Sequence, residues 1–330
     1  MLYPLIFRPI FKERVWGGRN LERLYKKALP PKVPIGESWE ISDRPGDVSV
    51  IANGPLAGKD LHWLMEHHAK DLFGKGQPAG TRFPLLLKIL DAEEKLSLQV
   101  HPPAHKATEL GGEPKTEMWY IADAKPGAEL YVGLKRGVTR HQFEQKIKSG
   151  EVANCFHRVP VKAGDIMFLP SGRVHAIGAG LVIFEIQQNS DTTYRVFDWN
   201  RVGLDGKPRD LHVSQSLASI DFEDFEPQLI STASTKADPF TGRPVVNCPL
   251  FDVAACRVES AGSMLLNLDR IRIIGVITGR VIVTDGKQSS ELKPGDFCLI
   301  PANVKPSEAW VDASSTFLCI GLGEQSPPVH

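Results

Sequence analysis

Gly164-Asp-Ile-Met-Phe-Leu-Pro170-Ser-Gly172-Arg-Val-His175 is the stretch from which the fold is read. The Gly-Asp pair marks a tight turn, the four residues after it form a mainly apolar strand, and Pro170 ends that strand. The front half recurs: Lys162-Ala-Gly164-Asp165-Ile-Met-Phe-Leu-Pro170 returns as Lys293-Pro-Gly295-Asp296-Phe-Cys-Leu-Ile-Pro301, with glycine, aspartate and proline in the same places. Two copies of one strand element in a single chain imply two copies of one β unit.

Working outward, much of the chain reads as short strands punctuated by Gly, Pro or Asp, which favours a barrel or sandwich over a doubly wound sheet. Helical spacing is expected at Leu61 to Phe73, with Asp60 as N-cap, and at Thr139 to Ser149, with Gly150 as the stop. A length of 330 residues suits two domains. Glu223 to Pro244 reads as polar and irregular, so the division expected is 1–230 and 231–330.

Composition excludes several classes. Lys plus Arg and Asp plus Glu both total 39, so no whole-molecule field draws the chain to nucleic acid or anionic lipid. The N-terminal stretch carries Arg8, Lys12, Glu13 and Arg14 too early for a signal peptide or membrane span, and a cytoplasmic protein is expected. Five cysteines, odd in number and widely spaced without a CxxC pair, read as free thiols. Gly54-Pro-Leu-Ala-Gly58-Lys59-Asp60 misses the phosphate-loop spacing, and Gly178-Ala-Gly180 leads into a strand where a dinucleotide site needs a helix.

The chemistry lies elsewhere. Leu96-Ser-Leu-Gln99-Val-His101 alternates strictly, so Leu96, Leu98 and Val100 are expected on a core face, with Ser97, Gln99 and His101 on the other. Lys115 and Glu117 likewise share a face, bringing an ammonium and a carboxylate into one space. The spacing from Gly164 to His175 matches the second cupin motif, and the chain therefore resembles the cupins. That resemblance implies a mainly β protein of two cupin (double-stranded β-helix, jelly-roll) barrels and one metal held by Gln99, His101, Glu117 and His175. Two imidazoles, a carboxylate and an amide oxygen suit Zn²⁺, while iron or manganese also fits. After Pro301 the chain runs Ala302-Asn-Val-Lys305-Pro306, with no glycine or histidine where Gly172 and His175 stand, so the second barrel is expected to be metal-free.

Local words narrow the resemblance. KERVWGG (12–18), GESWEIS (36–42), FPLLLKILDA (83–92), LSLQVHP (96–102), PKTEMWY (114–120), GRVHAIGAG (172–180) and EIQQNSDTTYRVFDW (185–199) are similar to the short bacterial form of the type I mannose-6-phosphate isomerases. This implies a zinc enzyme, monomeric or homodimeric, that interconverts mannose 6-phosphate and fructose 6-phosphate by moving a proton between C1 and C2. Carried over by position, Glu185 is the base, with Arg195 and Lys115 assisting ring opening and charge stabilisation. Lys88 and Ser97 hold the phosphate, Trp16 on a flexible turn lines the pocket, and Asp191 orients substrate or Arg195. Arg201 falls where many relatives carry a lysine that steadies the glutamate.

The residues agree with that assignment. Glu185 alternates against Val182, Phe184 and Ile186, as an inward-pointing group must. Lys88 interrupts an apolar run, and a buried amine needs an anion. Trp39 is divided between core and pocket. A cupin oxygenase has no need of Lys88, Lys115 and Arg195 together, and a non-catalytic sugar-phosphate-binding regulator has no need of the base.

Overall fold

The protein is described here from a computed structural model covering residues 2–74, 82–237, 239–266, 269–305 and 307–323. It is mainly β, with its strands in four principal sheets stacked as layers, and the apolar clusters lie between and outside them.

Alternation along single strands explains the stacking. In Leu181–Gln188, the residues Val182, Phe184 and Ile186 enter one cluster and Leu181 and Ile183 another, so the strand is buried on both faces. It belongs to a six-stranded sheet that also contains Glu117–Ala124, Leu85–Ala92 and Ile35–Ile41. One face of this sheet covers a five-stranded sheet that includes Leu98–Val100, His175–Ile177 and Tyr194–Phe197. Its other face meets a seven-stranded sheet from the C-terminal part, where Phe184 stacks on Phe297 at 5.4 Å between ring centroids. A four-stranded sheet closes the far side of that layer.

Leu61–Phe73 is helical, and Asp60 caps it by accepting from Trp63 N. Arg140–Lys148 is a second helix, with a reciprocal capping box between Thr139 and Gln142. Three shorter helices, Asn20–Tyr25, Ala104–Ala107 and Val213–Ser219, carry too little periodicity to be read from sequence.

Other features depart from the sequence-based expectation. The irregular stretch before Pro244 contains strands Thr235–Ala237 and the start of Phe240–Asn247. Pro244 is tolerated inside that strand because the pairing register shifts between Pro244 and Val246. The N-terminal strand Leu5–Ile6 pairs with Phe297–Ile300 and so completes the C-terminal sheet. Among the described residues no helix is long and apolar enough to cross a membrane.

Candidate metal and sugar-phosphate site

Two rows of paired residues face each other across the inner layer. In the six-stranded sheet Lys88 sits opposite Trp39 on one side and Glu185 on the other, and Glu185 is in turn opposite Trp119. In the five-stranded sheet Gln99 pairs with both His175 and Arg195. Register alone thus collects residues from several strands into one space, because side chains opposite each other on neighbouring strands share a face.

His101, Glu117 and His175 are at most 1% exposed, and their ligand atoms all lie within 4.8 Å of one another. His101 Nδ1 faces Thr192 O at 2.7 Å and His175 Nδ1 faces Arg173 O at 3.0 Å. A carbonyl only accepts, so Nδ1 carries the proton in both rings and each Nε2 presents a lone pair toward Glu117. Burial, with nearby Lys115, pushes His101 down, and burial pushes His175 down to about 3, which keeps both rings neutral. Neither Glu117 oxygen accepts a well-directed hydrogen bond among the described residues. Burial would raise its carboxyl, but the Lys115 ammonium, 2.6 Å from Oε2, together with His101 and His175 brings the group well below the usual carboxylate range. Two neutral imidazoles and one ionised, under-bonded carboxylate at this spacing fit a divalent metal. Gln99 stands beside them, its Nε2 3.3 Å from His175 Nε2; exchanging the two amide ends would turn an oxygen toward the cluster.

The adjoining pocket has a volume of about 540 Å³, and its wall includes Trp16, Lys88, Ser97, Gln99, Lys115, Glu185, Asp191 and Arg195. Burial, reinforced by Glu117, raises the Glu185 carboxyl. Trp119 Nε1 donates to its Oε2 at 2.8 Å, and Lys88 Nζ lies 3.5 Å from its Oε1. Lys115 Nζ is 3.3 Å from His101 Nε2, so it belongs to the cluster as much as to the pocket. Arg195 donates through Nη1 to Asp210 O, while its buried Nε has no acceptor among the described residues. Asp191 occupies the exposed rim.

Some expectations change. Trp16 lies inside strand Ile10–Gly18, not on a turn, and is 4% exposed. Its ring crosses Gly36, where an added Cβ would stand 2.7 Å from Cζ3, so that position excludes any side chain. Leu96 lines the pocket instead of sharing a core with Leu98 and Val100, because the strand begins only at Leu98. Arg201 pairs with Asp198 and donates to Lys95 O, and the cations acting on Glu185 are Lys115 and Lys88. Trp39 is 2% exposed, with Lys88 Nζ 4.9 Å above its ring. Arg14, Glu37 and Arg209 also line the pocket and were not read from sequence. For Arg14 the available signal was alternation, since Arg14 and Trp16 are two apart on one strand.

Comparison with known proteins identifies the chain's relatives. The family model described as phosphomannose isomerase type I, catalytic domain, matches residues 5–115. Mannose-6-phosphate isomerase ManA of Bacillus subtilis is 38% identical over 303 residues, which cover 90% of this chain and 93% of the relative. The mannose-6-phosphate isomerase of Streptococcus mutans is 35% identical over 306 residues, covering 92% and 94%. The crystal structure of the mannose 6-phosphate isomerase from Bacillus subtilis superposes with a TM-score of 0.88 at 32% identity, covering 97% of this chain and 100% of that one. With sequence and fold shared over almost the whole length of such relatives, the chain belongs to the type I phosphomannose isomerase family.

Proposed function

We propose that the protein interconverts D-mannose 6-phosphate and D-fructose 6-phosphate, with Glu185 as the base. The observation that carries this reading is a buried, raised carboxylate in the same pocket wall as Gln99 and Lys115, next to a His-Glu-His cluster. C1 and C2 of the sugar are adjacent, so one carboxylate that reaches both can take a proton from one and return it to the other. A raised carboxyl makes Glu185 a stronger base, and the Trp119 indole fixes one oxygen so that the other is presented to substrate. Lys115 and Arg195 supply positive charge where an enediolate oxygen develops. Lys88 and Ser97 face the phosphate, Trp16 covers the sugar, and Asp191 orients substrate at the rim.

His101, Glu117, His175 and Gln99 are the residues that would hold one zinc ion. Bound there, zinc would act as a Lewis acid on the sugar oxygens. In this reading residues 1–230 carry the chemistry and residues 231–330 form a second unit with no cluster of metal ligands among its described residues.

The test is the NMR spectrum of mannose 6-phosphate incubated with zinc-loaded and with chelator-stripped protein. Fructose 6-phosphate is expected to appear only with the loaded sample. No conversion by a folded protein of verified metal content overturns the assignment.

A further inference from the structure

Four charged side chains alternate in sign from the pocket rim inward. Arg14 Nε lies 2.7 Å from Glu37 Oε1, Glu37 Oε2 lies 3.6 Å from Lys88 Nζ, and Lys88 Nζ lies 3.5 Å from Glu185 Oε1. Both carboxylates are anchored alike, Glu37 by Trp39 Nε1 at 2.6 Å and Glu185 by Trp119 Nε1 at 2.8 Å. A closed ammonium–carboxylate pair shortens to about 2.7–2.9 Å. Lys88 is therefore in neither tight pair but suspended between two fixed anions.

The backbone explains why. Trp39, Lys88 and Glu185 form one register row across three strands, and Glu37 precedes Trp39 by two on the same face, diagonal to Lys88. Glu37 is 8% exposed and lies on the far side of Lys88 from Glu185. Burial would raise its carboxyl, but Lys88 and Arg14 bring it down to about 2, so it is a permanent anion at working pH.

We propose that Glu37 is a positioning residue for the isomerisation, its carboxylate holding Lys88 off Glu185 so that the base stays unpaired and the ammonium stays available to a substrate oxygen. This rests on Glu185 being the base and on the pocket taking a sugar phosphate. Without the pull of Glu37, Lys88 closes on Glu185, and a carboxylate in a tight buried ion pair is a weaker base. Arg14 acts at the outer end by drawing Glu37 away from Lys88.

Two substitutions move Lys88 in opposite directions, and crystal structures of the metal-loaded protein read the movement directly. In Glu37→Gln, Lys88 Nζ is expected to close to about 2.8 Å from Glu185, the length of a charge-assisted bond. In Arg14→Gln, Glu37 is free to close on Lys88, and the separation from Glu185 is expected to widen. Arg14 is on the half-buried rim, so this second variant remains informative should Glu37→Gln fail to fold. With mannose 6-phosphate as substrate, Glu37→Gln is expected to lower kcat by roughly 10- to 100-fold as the base becomes paired, and to raise KM as the Lys88 ammonium is withdrawn from the substrate oxygen. The proposal is overturned if Lys88 stays midway in both variants, or if kcat in Glu37→Gln matches the wild type. A wild-type protein that fails to convert mannose 6-phosphate overturns the isomerase reading instead, and the positions of Lys88 still decide whether Glu37 holds it.

Discussion

The turns at Gly164 and Gly295 are built almost atom for atom alike, yet the spaces behind them are filled with opposite chemistry. In one, Asp165 Oδ2 accepts from Lys162 N at 2.8 Å, and in the other Asp296 Oδ2 accepts from Lys293 N at 2.8 Å. Both glycines have positive φ, +91° and +86°. Gly164 N donates to Ile121 O and Gly295 N to Val276 O, each at 2.8 Å. Behind the first turn lie Lys88, Lys115, Glu117, His175 and Glu185, all buried. Behind the second lie Val258, Ile274, Val276, Val283, Leu292, Cys298 and Phe317. The backbone element is neutral to function, and the residues beyond the strand decide the chemistry. His101 accompanies His175 in one copy, while the position matching His175 in the other is Pro306, which lies outside the described residues.

The comparison is broken most severely by one substitution in each half. Glu185→Gln is expected to lower kcat by about 10²–10⁴-fold, the range for losing a general base. It should cost no stability, because it removes a carboxylate whose ionised form burial disfavours. Phe317→Ala, in the apolar half, is expected to cost about 3–5 kcal/mol in denaturant unfolding and to leave metal content unchanged. If Glu185→Gln unfolded the protein while Phe317→Ala abolished turnover without loss of stability, the assignment of chemistry to one half and packing to the other would be reversed.

Glu37 sharpens the contrast through pH. Its folded-state value of about 2 lies below the 4.5 of a free glutamate. The stabilisation it supplies is therefore present above about pH 4.5 and is lost as pH falls through 2. At 1.36 kcal/mol per pH unit this amounts to about 3 kcal/mol. Denaturant titrations of wild type and Glu37→Gln should differ by about that much at neutral pH and converge near pH 2. A constant difference across the range would mean that Glu37 contributes packing and not charge.

The same geometry sets how much was legible in the sequence. His101, Glu117 and His175 were legible because strand parity and the spacing from Gly164 to His175 are local properties of the chain, and the cupin resemblance they carry implies these residues as ligands. Glu37 was not, since Ile35–Ile41 is buried along its whole length and alternation cannot say which face holds the site. Glu40 illustrates the ambiguity: on the opposite face of that strand from Glu37, it pairs with Lys27 at 2.7 Å, away from the pocket. The junction of Leu5–Ile6 with Phe297–Ile300 was equally closed to local reading, because nearly the whole chain separates the two strands. Lys88 meets Glu37 only through strand register, and Arg14 reaches it from an irregular part of the neighbouring strand's pairing.

The smallest expected effect tests the equivalence of the two turns. Asp165→Ala and Asp296→Ala each remove one side-chain acceptor from an exposed turn amide, at a cost of about 0.5–1.5 kcal/mol apiece. Because the two turns share their bond lengths and their glycine conformation, the two losses should agree within about 0.5 kcal/mol. Neither aspartate lines the pocket, so kcat/KM should change by less than about 2-fold in both. A much larger loss at Asp165 would show that the first turn is strained by the charged interior behind it, and that the repeated element is only geometrically, and not energetically, the same.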